Sequence, residues 1–387
     1  MTRWNRALSA LVAVGALAAT GACTLFGGEG DDSPAPGGED AITDEAGLAE
    51  LINENNRLIA EVNDVEVRLE QDCLEDQGFH VHDRYKLFTW EATDQGRLVV
   101  DYPYADFLPD ADTASEWGFG AWAGTDEAYG SAEADEYYDA VLGEDNTEPE
   151  IDNSAWDALP IEEQQDWSRA YYGDAYEQIQ EGADGMNPFG GETAGSPPKP
   201  GGCQLEMIEA LYGEPEQVER TEGDDGQGGT TWQWGPQNPL DAADWDAMYD
   251  DYRTRAADPE QSFSDCLFEH DLGEWEFDES GRLPIWDYFT WVYNAESPQF
   301  AEETGESLGT PPLPEDLPED FDGRKAFEIE TAVGFTDCGE STGFREAAKA
   351  AWDGIQLDYY LSVEQELFSY QEAMNDLLLK AQELVDA

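Results

Sequence analysis

A short string recurs in this 387-residue chain, and a cysteine sits at its centre both times. Residues 72–74 read Asp-Cys-Leu, and so do residues 265–267. Each copy is preceded by a helix-like stretch and followed by a glycine with aromatics, Gly78-Phe79 in one and Gly273-Glu-Trp275 in the other. Further on, Asp94-Gln-Gly-Arg-Leu98 matches Glu279-Ser-Gly-Arg-Leu283, and Asp101-Tyr102 matches Asp287-Tyr288. Cys203 and Cys338 each read as following a loop and opening a helix. The expected unit is helix, Cys, turn and short strands, long insertion, Cys, helix, and it occurs twice. Four cysteines admit three pairings. The repeat favours Cys73–Cys203 and Cys266–Cys338, each tying the end of a first helix to the start of a last one. Closing loops of this length adds a few kcal/mol in the chain-entropy treatment. Chance matching of short strings is the plain alternative.

The outer helices are the clearest secondary structure. Leu48, Leu51, Asn55, Leu58, Val62, Val65 and Leu69 stand alternately three and four apart. Tyr360, Val363, Leu367, Tyr370, Met374, Leu377, Ala381 and Leu384 do the same in the tail. Each set makes a coiled-coil-like heptad seam. The two seams are expected to pack on each other, or on a helix at 241–265 carrying Trp245, Met248, Tyr249 and Tyr252. A partner helix on another protein is the sharper alternative. Residues 186–201 and 222–230 are rich in breakers and read as loops. Residues 296–323, with five prolines, read as an extended connector.

Lysine and arginine total 18 against 89 aspartates and glutamates, for a net charge of −71. Nucleic acids and anionic lipids are bound through basic patches, so this balance argues against both. With 40% hydrophobic and 12% aromatic residues the chain can still build a core. The acid is spread along the whole length and reads as a solvated coat; recruitment of cations or of a basic partner is the functional alternative. Acids this frequent make close carboxylate pairs uninformative about catalysis.

Residues 1–22 read as a secretory leader. Arg3 and Arg6 precede an apolar run at 7–20 that is too short to span a bilayer comfortably. Thr20-Gly21-Ala22-Cys23 resembles the lipobox of bacterial lipoproteins, although Thr20 stands where Leu is usual. The resemblance implies acylation of Cys23, and two acyl signals are what stable anchoring requires. The alternative is ordinary cleavage after Ala22, which leaves a free thiol. Residues 23–41, rich in Gly, Pro, Ser and acid, read as a disordered tether. Loss of Arg3 and Arg6 with the leader takes the charge from −71 to −73.

No P-loop, zinc-protease or calcium-loop motif is present. His80 and His82, two apart, would share one face of a strand and are weak candidates for metal ligands. Trp117-Gly-Phe-Gly-Ala-Trp122 is the best candidate for a ligand surface, because indole faces beside carboxylates suit glycans. Packing of both rings in the core is the plain alternative, and burial decides between them.

Taken in order, several segments resemble a group of uncharacterised actinobacterial lipoproteins. They are the lipobox cysteine, Cys73-Leu-x-x-x-Gly78-Phe79, Ala114-Ser-Glu-Trp-Gly-Phe-Gly120, Leu159-Pro with Tyr172-Gly173, Gly201-Gly-Cys203 with Leu211-Tyr-Gly213, and Asp337-Cys338 before a long last helix. Residues 331–337 are a looser version of the family's Ala-x-Ala-Asp-x-x-Cys element. The resemblance implies architecture and location, with an efflux transporter or envelope adaptor as partner, and no catalytic residues.

The resulting expectation is a mainly α protein with a few short strands. It has two disulfide-closed repeats, residues 42–235 and 236–387, with the long N- and C-terminal helices packed together. It is expected on the extracytoplasmic side of the membrane, needs no cofactor, and is read as a non-enzymatic binding or adaptor lipoprotein. A cell-wall glycan hydrolase using acidic residues, and a structural spacer binding a partner helix, are the other readings.

Overall fold

The computed structural model describes residues 45–92, 94, 97–142, 151–182, 197–220, 229–295 and 309–385. The leader, Cys23 and the tether lie outside them, as does most of the loop at 186–201. The described chain is mainly helical, and its strands are two short ones that pair antiparallel: β1 (Glu216–Arg220) and β2 (Gly229–Gln233), with Val218 opposite Thr231.

The chain divides into two compact units, and neither is continuous in sequence. One is drawn from Met1–Leu98, Glu150–Ala243 and Tyr360–Ala387, the other from Val99–Pro149 and Asp244–Tyr359. The successive blocks expected from the sequence, split near residue 235, are therefore interleaved. The physical reason is burial. The last helix carries an apolar seam that the first helix covers, and residues 99–149 carry aromatics that the second unit needs for its core.

In the first unit, α1 (Glu45–Asp76) runs along the last helix, numbered α12 below (Glu364–Val385). Leu58, Val62 and Val65 of α1 and Tyr370, Met374, Leu377 and Ala381 of α12 share one core with Met207, Ile208 and Leu211 of α7 (Gly202–Leu211). A fully buried Val, Leu or Met adds about 1.5–3 kcal/mol, so this seam is a principal source of the unit's stability. The seams do pack on each other. The helix carrying Trp245 to Tyr252 belongs to the other unit, and the stripe on α12 is buried inside the chain. Asn55, a polar residue in the seam, donates from Nδ2 to the Leu367 carbonyl at 3.4 Å. Lys380 donates to the Leu211 carbonyl at 2.8 Å, capping the end of α7.

The same unit holds α4 (Ser154–Asp157), α5 (Ile161–Tyr172) and α6 (Ala175–Gly182). Trp156, Trp167 and Tyr171 pack with Leu74, Leu87 and Cys203. The end of α5 and the start of α7 meet backbone to backbone. A Cβ on Gly202, whose φ is +54°, would lie 2.1 Å from the Ala170 carbonyl oxygen. That close approach accounts for the Tyr172-Gly173 and Gly201-Gly202 pairs.

The second unit contains α2 (Ala111–Trp117), α3 (Ala132–Leu142), α8 (Trp245–Glu269), α9 (Ile285–Tyr293), α10 (Phe321–Ser341) and most of α11 (Phe344–Ser362). Asp110, Asp244 and Asp320 start α2, α8 and α10 by accepting backbone N–H groups of the first turn. The core is aromatic. Phe263 stacks on Phe344 at 4.8 Å and meets Phe335 edge-on at 5.8 Å, while Phe119 packs on Phe289 and Phe335.

Both expected disulfides are present, Cys73–Cys203 and Cys266–Cys338, each with Cα atoms 5.7 Å apart. Each lies within one unit. Two details differ from expectation. Cys203 opens α7, but Cys338 lies in the last turn of α10, because that helix starts seventeen residues earlier, at Phe321. The segments following Cys73 and Cys266 carry no strand among the described residues.

Candidate functional site

The tryptophan loop is where chemistry was most expected, and it turns inward. Trp117 is 8% exposed and Trp122 fully buried, their rings stacked at 6.1 Å. Rings without solvent access present no face to a ligand, so Trp117 and Trp122 are not a ligand surface. The loop instead wraps a carboxylate. Glu328 of α10, fully buried, accepts the N–H groups of Ala121 at 2.8 Å and Trp122 at 3.1 Å, and the Tyr293 hydroxyl at 2.6 Å. The acceptor sits at the N-terminal end of the tight helical turn Ala121–Gly124, where unpaired N–H groups favour negative charge. Burial nevertheless pushes the Glu328 carboxyl up to about 7, against those hydrogen bonds. Lys325, one turn earlier, places its ammonium 3.3 Å from the centre of the Trp122 ring and pairs with Glu133 at 2.7 Å.

Three further glutamates are drawn into the cores. On α1, Glu70 accepts from Tyr171 at 3.1 Å and Glu66 from Tyr212 at 2.7 Å. Desolvation raises both, Glu70 to about 8. In the second unit Glu260 pairs with Arg253 Nε at 3.2 Å and is raised by burial. Each of these carboxylates is committed to a tyrosine, an arginine or backbone. A single sequence cannot distinguish Glu70, Glu260 and Glu328 among so many acids, since only burial separates them.

The histidine pair does not assemble. The chain from Phe79 to Asp83 is irregular rather than a strand, because it leaves the end of α1 through a tight turn. His80 is exposed. His82 turns inward, and its Nδ1 accepts from the Trp167 indole at 3.1 Å. Its Nε2 is buried, 3.7 Å from a Glu75 oxygen, and burial lowers its affinity for a proton. His80 and His82 thus lie in different surroundings, one exposed and one turned inward against Trp167.

The third histidine, His270, has two ligand-like neighbours. His270 caps α8, four residues after Cys266, and one nitrogen of its ring and the sulfurs of Cys266 and Cys338 lie within 4.8 Å of one another. Among the described residues it forms the cluster with metal-ligand chemistry. The two cysteines are joined as a disulfide, which does not ligate as a thiolate would. The signal available in the sequence was the i, i+4 spacing of Cys266 and His270, one helical turn apart.

No protein-family description matches this chain, and no curated protein or solved structure matches it either.

Proposed function

We propose that this protein is a membrane-anchored extracytoplasmic lipoprotein that binds or adapts rather than catalyses, serving a transporter or the cell wall. The observation that carries the reading is the pair of disulfides, one closing each unit, in a chain whose leader is followed by a lipobox-like Cys23. Disulfides of this kind persist in oxidising compartments outside the cytoplasm. In this reading the anchor is the lipid on Cys23. The buried carboxylates support the non-enzymatic side, since Glu70 and Glu328 serve hydrogen bonds inside the cores.

Fractionation with intact mass analysis tests the anchor. Wild-type protein is expected in the membrane fraction with diacylglycerol and acyl mass added at Cys23, and Cys23→Ala is expected in the soluble fraction. Wild-type protein found soluble with an unmodified Cys23 would overturn the reading. Cross-linking from the anchored protein then identifies the partner; recovery of a transporter or wall component is the expected outcome.

A further inference from the structure

We infer that the Cys266–Cys338 bridge is a redox-gated metal site: once reduced, the two sulfurs and His270 bind a thiophilic divalent cation of the zinc class. The repeat itself points there. In both units the helix carrying the first cysteine ends in the same hydrogen-bonded turn. Phe79 N–H donates to the Leu74 carbonyl and Gly78 N–H to Glu75, while Leu272 N–H donates to Leu267 and Asp271 N–H to Phe268. This turn brings the residue four after the cysteine back over the bridge. In the first unit that residue is Gln77, whose Nε2 lies 3.5 Å from Cys73 Sγ and 3.1 Å from Cys203 Sγ. In the second it is His270, with its ring nitrogen within 4.8 Å of both sulfurs.

The substitution of imidazole for amide changes the chemistry. An amide is a poor ligand for a soft cation, whereas two thiolates and an imidazole form three corners of a tetrahedral zinc site. Sulfurs in such a site stand about 3.8 Å apart, given zinc–sulfur bonds of about 2.3 Å. Opening the bridge thus asks for a short separation with the imidazole already beside it. Cys266 and Cys338 both lie in the last turns of their helices, where the helix dipole favours a cation. Asp265, Glu269, Asp337 and Glu340 flank them in the sequence and add negative potential.

The steps balance simply. A dithiol supplies two electrons and two protons, the S–S bond breaks to two thiols, and the dithiol leaves as its own disulfide. The metal then displaces the two thiol protons to solvent as two metal–sulfur bonds form, and the imidazole nitrogen adds the third.

Cobalt(II) is the probe, because thiolate ligation gives it a sulfur-to-metal charge-transfer band in the near ultraviolet. Full-length protein is reduced with a dithiol, desalted anaerobically and titrated, with circular dichroism recorded in parallel. The expected result is one equivalent bound with the charge-transfer band, and none by the oxidised protein. His270→Gln, which copies the first unit, should weaken binding by about tenfold or more. Gln77→His should add a second equivalent. Equal binding by His270→Gln, absence of the band, or a reduced chain that unfolds and is not returned to helix by the metal would each overturn the proposal.

Discussion

The two units solve one problem, burying a long helix that ends at a cysteine, with different interiors. The first packs largely aliphatic side chains of α1, α7 and α12 along one seam, gathers Trp156, Trp167 and Tyr171 around Cys203, and places Glu70 under a single tyrosine. The second packs phenylalanines and tryptophans and surrounds Glu328 with two backbone N–H groups and a tyrosine. Their bridging helices end alike, yet the residue with positive φ is Gly78 (+95°) in one and Asp271 (+58°) in the other. Gly273, paired with Gly78 in the sequence comparison, falls two residues later in hydrogen-bond register. What the units share is thus the local device that presents the sulfur, while the core around it is free to differ.

The bridges give the largest expected effect. Their cysteines are 130 and 72 residues apart, so the chain-entropy treatment assigns about 5 and about 4.4 kcal/mol. Denaturant unfolding of Cys73→Ser/Cys203→Ser and Cys266→Ser/Cys338→Ser should show losses of this size, slightly larger for the first pair. A loss several kcal/mol greater in one unit would show that its bridge also holds native packing.

The buried carboxylates come next. Glu328→Ala leaves two backbone donors and a hydroxyl unpaired and should cost about 3–5 kcal/mol, whereas Glu70→Ala orphans one hydroxyl and should cost about 1–3. Equal losses in thermal or chemical unfolding would break the contrast.

Both carboxyls also tie stability to pH. Desolvation raises Glu70 to about 8 and Glu328 to about 7 from an ordinary 4.5, so the folded state holds these protons more tightly than the unfolded chain. Their contribution is full below pH 4.5, declines as the pH rises above it, and is lost once the folded values are passed. Relative to Glu70→Gln and Glu328→Gln, the wild-type Tm should therefore fall between pH 4.5 and 8, with the Glu70 window extending further. A wild-type profile parallel to both variants would remove this linkage.

The smallest effects have opposite signs. Gly78→Ala forces a side chain into a left-handed turn and should destabilise by about 1 kcal/mol. Asp271→Gly relieves the same strain and should stabilise by roughly 0.5–1 kcal/mol. Calorimetry on the two variants sharpens the equivalence of the turns, and a shared sign would refute it.

Much of this architecture was readable from residue spacing. The seams on α1 and α12 were legible because a buried stripe must recur with the helical period, and the pairing of cysteines followed from the repeat. The tryptophan loop was legible as a feature but not as to which way it faces. Indole suits a core and a binding face equally, and the partner that decides, Glu328, lies more than two hundred residues away and is one acid among 89. The spacing of Cys266 and His270 shows only half of their cluster, because Cys338, which completes it, arrives from a different helix.

By itself the sequence determined the helical class, the cysteine pairing and the acid coat, since these follow from local periodicity, composition and repetition. Only the tertiary structure decided which helix joins which unit, which acids are buried and which ring faces the sulfurs. Burial and proximity are properties of chain crossings between distant segments, and no local pattern records them.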